Sequence, residues 1–215
     1  MSLEESATLT RILSSAKTEF LEKGFKSASL RNIVKTAGVT TGAFYGYFSS
    51  KGELFSALVD KDYRHFISVY RSALDSFENL PAHEKGRRLI EISENCVNGL
   101  FEYMKDRRDI FYLILKCSDG TPYAGFIDEI VGMEVESTHK YYEVLESLGQ
   151  TPEHMDERLE HVLVTGMMNA YFEFIIHDMP VGNVKLYLKQ LSGFYHAGWR
   201  EIMGQQKTVQ NENSE

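Results

Sequence analysis

The chain has 215 residues, of which 43% are hydrophobic and 25% are charged, and its formal net charge is −8. This length can bury the core of one or two domains, and the composition is ordinary for a soluble globular protein. The only two cysteines, Cys96 and Cys117, lie in no CxxC or Cys/His ligand spacing, which argues against a disulfide framework or a zinc finger and favours the cytoplasm. No apolar run reaches the ~18 residues of a membrane span, and the N-terminus lacks a signal-peptide pattern, so we expect no membrane association.

A first helix is predicted over Thr8 to Lys23, followed by two short helices joined by a turn. The first helix has one apolar stripe and is expected to end at Gly24. The next begins at the N-cap candidate Ser29 and runs to Thr36, and Gly38 supplies the conformational freedom for a turn. Thr40 can then cap a second short helix. Two short helices in this order form the helix-turn-helix arrangement, which places one helix in the DNA major groove.

An aromatic run, Phe44-Tyr45-Gly46-Tyr47-Phe48, follows the turn and precedes a fourth helix. Phe44 and Phe48 are four residues apart and can face one core, so Tyr45 and Tyr47 are expected to point elsewhere. Ser50 and Glu53 match the S-x-x-E capping box and predict that the fourth helix begins there.

These residues resemble the DNA-binding domain of the TetR family of bacterial repressors. The matching pattern is Ser29-Leu30-Arg31-Asn32-Ile33, Ala37-Gly38-Val39-Thr40, Phe44-Tyr45, Tyr47-Phe48 and Lys51, and the resemblance covers roughly residues 8 to 55. Asn32 replaces an acidic residue that is frequent in the family. Gly46 and Gly42 place glycines in the recognition helix, so base readout would depend on few side chains.

The resemblance implies a DNA-contacting surface. Four residues are expected in the major groove, namely Thr40, Thr41, Gly42 and Ala43. Tyr45, Tyr47, Lys51 and Ser29 are expected at phosphates, contacts that position a protein without reading sequence. The charge distribution is compatible with this: residues 1–55 hold seven Lys/Arg and five Asp/Glu, whereas residues 56–215 hold 16 and 26. The acidity of the body is equally explained as a solubilising surface.

Further helices are predicted over residues 50–77, 83–104, 107–116, 123–148, 153–177 and 182–203, separated by Pro- and Gly-containing segments. No stretch alternates like a strand. We therefore predict an all-α fold with an N-terminal three-helix helix-turn-helix DNA-binding domain (1–49), a C-terminal helical ligand-binding and dimerisation domain (50–204) and a disordered tail (205–215).

No catalytic or cofactor motif is present: the sequence contains no GxxxxGK[ST], GxSxG, HExxH or GxGxxG. Glu157 and His161 are spaced i, i+4 and could share a metal, but a surface ion pair is the ordinary explanation. We predict that the chain is not an enzyme and uses no metal and no cofactor.

Aromatic residues of the second domain are candidates for an effector pocket, which the resemblance implies for this domain. An ordinary core is the alternative for most of them. The candidates are Tyr63, Phe66, Tyr70, Phe101, Phe111, Tyr112, His139, Tyr142, Met167 and Tyr171. Their chemistry predicts a small, largely apolar ligand, oriented by a tyrosine hydroxyl or by His139.

The last two helices are candidates for a dimer interface. From Val162 to Ile176 the pattern is apolar almost all round, which requires burial on every side. Pairing with symmetry mates would give a four-helix core, whereas burial within one protomer is the alternative. The predicted interface residues are Val162, Gly166, Ala170, Phe174, Leu188, Leu191, Tyr195 and Trp199.

The sequence thus predicts a cytoplasmic, homodimeric transcriptional regulator that resembles TetR-type repressors. We expect it to bind a pseudo-palindromic operator in double-stranded DNA and to be released by a small ligand whose identity is unknown. The alternatives are a regulator without an effector, an activator, or a protein-binding adaptor that retains the fold.

Overall fold

The computed structural model describes residues 3–203, and all regular structure in that range is helical. The predicted all-α fold is confirmed, whereas the predicted disordered tail lies outside the described residues. The described helices are α1 (Leu3–Ser27), α2 (Leu30–Thr36), α3 (Thr41–Tyr45), α4 (Lys51–Glu78), α5 (Ala82–Met104), α6 (Arg108–Lys116), α7 (Phe126–Ser147), α8 (Glu157–Ile176) and α9 (Val181–Ile202).

The first three helices and the start of α4 enclose one apolar cluster. Ile12 and Phe20 of α1, Ile33 of α2 and Phe44 of α3 are fully buried in it, together with Phe55 of α4. The short helices α2 and α3 are therefore stabilised by packing against α1 and α4, and not by contacts with each other alone.

Gly24 interrupts α1 as predicted, although the helical assignment continues past it. Its backbone adopts φ 70° and ψ 164°, and the amide of Phe25 then bonds to the carbonyl oxygen of Cys117 at 2.8 Å. A positive φ is easily adopted only by glycine. The break thus turns the end of α1 toward the C-terminal end of α6.

Helices α4 to α9 form the rest of the molecule, and α4 packs against α5, α6 and α7. A small second cluster forms near the far end of α4, and its buried members are Phe77, Tyr141, Tyr142, Leu145 and Met203. Long helix α4 therefore runs from the helix-turn-helix to this far cluster.

Surface ion pairs also link α1 to the body. Lys17 bonds to Asp109 at 2.8 Å, and Lys26 bonds to Asp119 at 2.7 Å. Helix boundaries differ from the predicted ones by a few residues, as expected for helix ends. Among residues 3–203, no helix is long and apolar enough to cross a membrane.

Candidate functional site

The helix-turn-helix forms through local capping. Ser29 Oγ accepts a hydrogen bond from the Asn32 amide at 3.4 Å, and Thr40 Oγ1 accepts one from the Ala43 amide at 3.1 Å. Gly38 makes the turn with φ 65°. Both predicted N-caps and the predicted turn glycine thus have the geometry that the sequence indicated.

Helix α3 exposes the four residues predicted to reach the bases. Thr40, Thr41, Gly42 and Ala43 are exposed in sequence, and Phe44 behind them is fully buried. Phe44 therefore fixes the orientation of α3 and directs this short polar surface outward. The arrangement is suited to insertion in a groove, and base contact remains a prediction.

The two glycines of this region have different structural roles. A Cβ at Gly46 would lie 3.2 Å from the carbonyl oxygen of Ala43, tighter than most real contacts. A Cβ at Gly42 would meet only Thr40 Oγ1, at 3.9 Å, an ordinary contact. Close packing accounts for Gly46, whereas the fold does not require Gly42.

Lys51, predicted to hold a phosphate, has other partners in the structure. Its ammonium donates to the carbonyl oxygens of Phe25, Lys26 and Ala28 at 2.7, 3.3 and 3.0 Å, and it lies 4.7 Å from the centroid of the Phe25 ring. An ammonium has three protons, so all its donors are used. The ammonium that was expected to contact DNA is instead bound by backbone carbonyls at the α1–α2 connection.

The amide of Ser29 is not available to a phosphate, whereas a phosphate contact by its hydroxyl stays a prediction. The amide donates to Glu19 Oε1 at 2.9 Å, and the same oxygen accepts from Lys23 Nζ at 2.8 Å. The hydrogen bonds from Lys23 and Ser29 stabilise the carboxylate and lower the pKa of Glu19. Glu19 thus fixes the start of α2, a role that the sequence analysis missed.

The start of α4 shows a variant of the predicted capping box. Ser50 Oγ accepts from the Glu53 amide at 3.1 Å, as expected, but Glu53 Oε2 accepts from both the hydroxyl and the amide of Ser49, at 2.6 and 2.7 Å. These bonds lower the pKa of the Glu53 carboxyl. The cap is complete, with Ser49 replacing Ser50 as the donor to Glu53.

Other cations and hydroxyls remain for phosphates. Tyr45 is 56% exposed, whereas Tyr47 is half-buried and its hydroxyl donates to the Glu5 carbonyl oxygen at 3.3 Å. Arg31 and Lys35 on α2 are exposed and form no ion pair with any residue in 3–203. Neither is among the DNA contacts predicted from the sequence, although two cations four residues apart on α2 are visible there.

The body contains two neighbouring internal cavities that share Tyr70 and Val97 in their linings. One of about 120 Å³ lies among α4, α5, α7 and α9, and one of about 40 Å³ lies toward α8. Of the predicted pocket residues, Tyr70 borders both, and Phe66, Phe101 and Tyr171 border the smaller one.

The remaining pocket candidates lie elsewhere among the described residues. Tyr63 borders an outer cleft between α4 and α7, where its hydroxyl donates to Glu129. His139 is exposed, and its ring Nε2 lies 2.7 Å from Glu160 Oε2. Neither internal cavity is lined by His139, nor by the four core or packing residues Phe111, Tyr112, Tyr142 and Met167. The predicted role of His139 in orienting a ligand is therefore wrong for these cavities. Its ring lies at the surface and pairs with Glu160 of α8 instead.

Helices α8 and α9 bury one apolar face and expose another. Leu159 and Val162 of α8 are 50% and 63% exposed, and Leu186 and Phe194 of α9 are 62% and 72% exposed. We define these four residues, together with exposed Gly166, as the α8–α9 face.

The predicted interface set divides between these two faces. Phe174 is fully buried against Phe101, and Leu188 is buried in the same core, so both are wrong as interface residues. Val162 and Gly166 are exposed, whereas Ala170, Leu191, Tyr195 and Trp199 are half-buried. When a helix is apolar on two sides, its sequence does not show which side packs inside the protomer and which side is left for a partner.

The family model described as "Bacterial regulatory proteins, tetR family" matches residues 12–58. Residues 12–58 thus form a TetR-family DNA-binding domain. The match covers α2, α3, most of α1 and the start of α4, the same region whose residues carried the resemblance.

Curated relatives agree with this assignment. UidR of Escherichia coli K12, an HTH-type transcriptional regulator, is 35% identical over 75 residues, 35% of this chain and 38% of UidR. YerO of Bacillus subtilis, described as an uncharacterized HTH-type transcriptional regulator, is 23% identical over 186 residues, 86% of this chain and 60% of YerO. The chain thus spans under two thirds of the length of both relatives. Both relatives are named as HTH-type transcriptional regulators.

Solved TetR-type structures share the fold at low identity. A TetR-like transcriptional regulator from a Rhodococcus species has a TM-score of 0.52 at 17% identity, over 89% of this chain and 96% of that one. A structure from Syntrophomonas wolfei, also titled as a TetR-family regulator, has a TM-score of 0.52 at 15% identity, over 95% and 98% of the two chains. These likenesses support the architecture of the whole described chain.

Proposed function

We propose that this protein is a DNA-binding transcriptional regulator that acts as a homodimer and represses transcription until a small ligand releases it. The observation that carries the proposal is the exposed surface Thr40 to Ala43, held outward by buried Phe44 on a capped helix-turn-helix. A short helix presented in this way fits the major groove. Arg31 and Lys35 lie on the adjacent helix as phosphate donors.

Dimerisation is supported by the α8–α9 face. Leu159, Val162, Leu186 and Phe194 are each half or more exposed, on two helices that pack against each other. Large apolar side chains exposed together on two packed helices favour an interaction site. A second copy of the chain is the occupant that we propose, because paired α8 and α9 helices from two protomers form a closed four-helix core.

Ligand control is supported by the path of α4. The N-terminal Lys51 of this helix bonds to the end of α1, and Tyr70 further along borders both internal cavities. A ligand that prefers one position of α4 would shift the spacing of the two recognition helices. DNA and ligand would then weaken each other's binding equally, by linkage.

Binding of DNA tests the proposal first. Fluorescence anisotropy with duplexes selected by the protein should give sequence-selective complexes, and Thr41→Ala should change the preferred sequence rather than the affinity for every sequence. Binding that is equally weak for all duplexes, by a protein that is folded, would count against a regulator of specific operators.

A further inference from the structure

A carboxylate lies in the wall of the larger cavity. Glu134 of α7 borders this space, and its Oε2 accepts a hydrogen bond from the Tyr70 hydroxyl at 2.5 Å. The residue as a whole is only half-buried, and its carboxyl group bonds to Tyr70 of α4 and interacts electrostatically with Cys96 of α5 and Tyr171 of α8. The sequence signal was a glutamate on the buried stripe that also contains Ile130 and Tyr141.

No cation compensates this carboxylate within residues 3–203. None of the ion pairs there involves Glu134, and its hydrogen bond comes from neutral Tyr70. Burial raises the pKa of the Glu134 carboxyl, although the hydrogen bond from Tyr70 opposes this. Burial and the nearby carboxylate also raise the pKa of Tyr70 and Tyr171, and that of Cys96 to about 12, so the surrounding groups are neutral. A negative charge enclosed in this way is costly unless a cation pairs with it.

Aromatic rings form much of the remaining wall. Tyr70, Phe77, Tyr141 and Trp199 all border the cavity, from α4, α7 and α9. Ring faces attract organic cations, and aromatic cages are a recurrent solution for binding ammonium groups. A carboxylate and four rings around one space favour a positive charge and disfavour an anion.

In the outer cleft, two of the three carboxylates pair with arginines, and the third, Asp75, is exposed to solvent. Asp60 pairs with Arg64 at 2.7 Å, and Glu129 lies 3.7 Å from Arg71. Ligand sites usually measure about 300–1,000 Å³, so the inner cavity of about 120 Å³ suits a compact ligand.

We propose that this cavity binds a small organic ammonium ion with an apolar or aromatic body, whose charge pairs with Glu134. This inference rests on the proposed ligand control and narrows the ligand from any largely apolar compound to a monocation. Tyr70 orients the carboxylate from one side, and the aromatic rings receive the body of the ligand.

The single tryptophan of the chain, Trp199, lines the cavity and reports binding directly. We would titrate the full-length protein at neutral pH with 3-phenylpropylamine, its neutral analogue 3-phenylpropan-1-ol and its anionic analogue 3-phenylpropionate, following Trp199 fluorescence. The amine should bind tightest and the acid weakest. Equal binding of amine and alcohol, or no saturable binding of any probe, would overturn the proposal.

The variant Glu134→Gln keeps the shape of the side chain and removes its charge. It should weaken amine binding by about tenfold or more and leave alcohol binding nearly unchanged. Glu136→Gln is the matched control, because Glu136 lies two residues away on the same helix, is exposed and pairs with Lys140 at 3.1 Å. If Glu134→Gln loses amine and alcohol binding equally, the cavity is damaged and the charge pairing is contradicted. If the variant is unstable, the ratio of amine to alcohol affinity in the wild-type protein still tests the proposal.

A separate measurement distinguishes this inference from the proposed function. The same amine is added to a complex of the protein with a selected DNA duplex, and release is followed by anisotropy. Charge-selective binding at Trp199 without release of DNA would support the cavity assignment and refute ligand control. Release that is unaffected by Glu134→Gln would place the effector elsewhere and overturn the cavity assignment.

Discussion

Replacement of Lys51 by methionine separates a structural role from a DNA-binding role at this position. Methionine retains most of the apolar stem over the Phe25 ring and removes the ammonium. Two of the three lost bonds, those to Phe25 and Ala28, are partly buried and measure 2.7 and 3.0 Å. The third, to Lys26, is exposed and longer, at 3.3 Å.

The magnitude follows from these bonds. A hydrogen bond from a charged donor contributes about 1.5–3 kcal/mol, and partial solvation reduces this at each carbonyl. We therefore expect Lys51→Met to lower the free energy of unfolding by about 2–3 kcal/mol in urea denaturation. The slope of log affinity for DNA against log salt concentration should change little, because this ammonium already serves the α1–α2 connection.

Lys35→Met is the matched control. Lys35 is exposed on α2 and has no ion-pair partner among residues 3–203, so its loss should change stability by less than about 0.5 kcal/mol. If Lys35 contacts a phosphate, the salt slope should fall by about one unit. An unchanged stability with a reduced salt slope for Lys51→Met would refute the reasoning and restore the phosphate role predicted from the sequence.

Three further predictions concern the recognition helix, the α8–α9 face and the cavity. Gly42→Ala should stabilise the protein by about 0.5–1 kcal/mol, because alanine is favoured in a helix and no close contact opposes its Cβ. Gly46→Ala should give no gain, because its Cβ would press on the backbone carbonyl of Ala43. Thermal melting compares the two variants, and a larger gain at Gly46 would contradict the packing argument. Phe194→Glu should yield folded protomers that associate weakly in sedimentation velocity. Val181→Glu should leave association intact, because Val181 is an exposed apolar residue about 140° away around the same helix. Equal effects of the two variants would argue against the α8–α9 face. Since the folded-state pKa of Glu134 is raised, the folded protein binds more protons than the unfolded chain above about pH 4.3, so this carboxyl lowers wild-type stability as pH rises through its folded pKa. Glu134→Gln should therefore be more stable than wild type at neutral pH and lose that advantage near pH 4 in urea denaturation, and a pH-independent difference would contradict the buried carboxylate.

Local features were predictable from the sequence because their partners are close in the chain. The N-caps Ser29, Thr40 and Ser50 each bond to the amide three residues ahead, and Gly38 turns the chain by its own backbone freedom. The family resemblance depended on the same short stretch, which is why the three-helix head was recognised.

Long-range partners were not predictable in this way. Lys51 bonds to carbonyls 23 to 26 residues earlier, and His139 pairs with Glu160 on the next helix. The sequence showed that both side chains were polar, but not which acceptors the packing would bring to them. Lys51 was therefore predicted to bind a phosphate and His139 to orient an effector. In the structure, Lys51 bonds to backbone carbonyls and His139 pairs with Glu160.

Two-faced helices were the second source of error. Phe174 continues the four-residue spacing of Val162, Gly166 and Ala170, and Leu188 lies only two residues from exposed Leu186, so periodicity alone did not show which face the protomer covers. For Glu134 the position on a buried stripe was visible in the sequence, but the cavity beside it forms only when four helices pack together.

Selection of DNA from a random duplex pool by the purified protein tests the central claim most directly. A homodimer with two outward-facing α3 helices should enrich an inverted repeat, with half-site centres about one helical turn, ~34–36 Å, apart or somewhat more. Enrichment of an inverted repeat that is lost in Phe194→Glu would agree with the account. A pool that stays random, or one that converges on a single non-repeated site bound by one protomer, would contradict it.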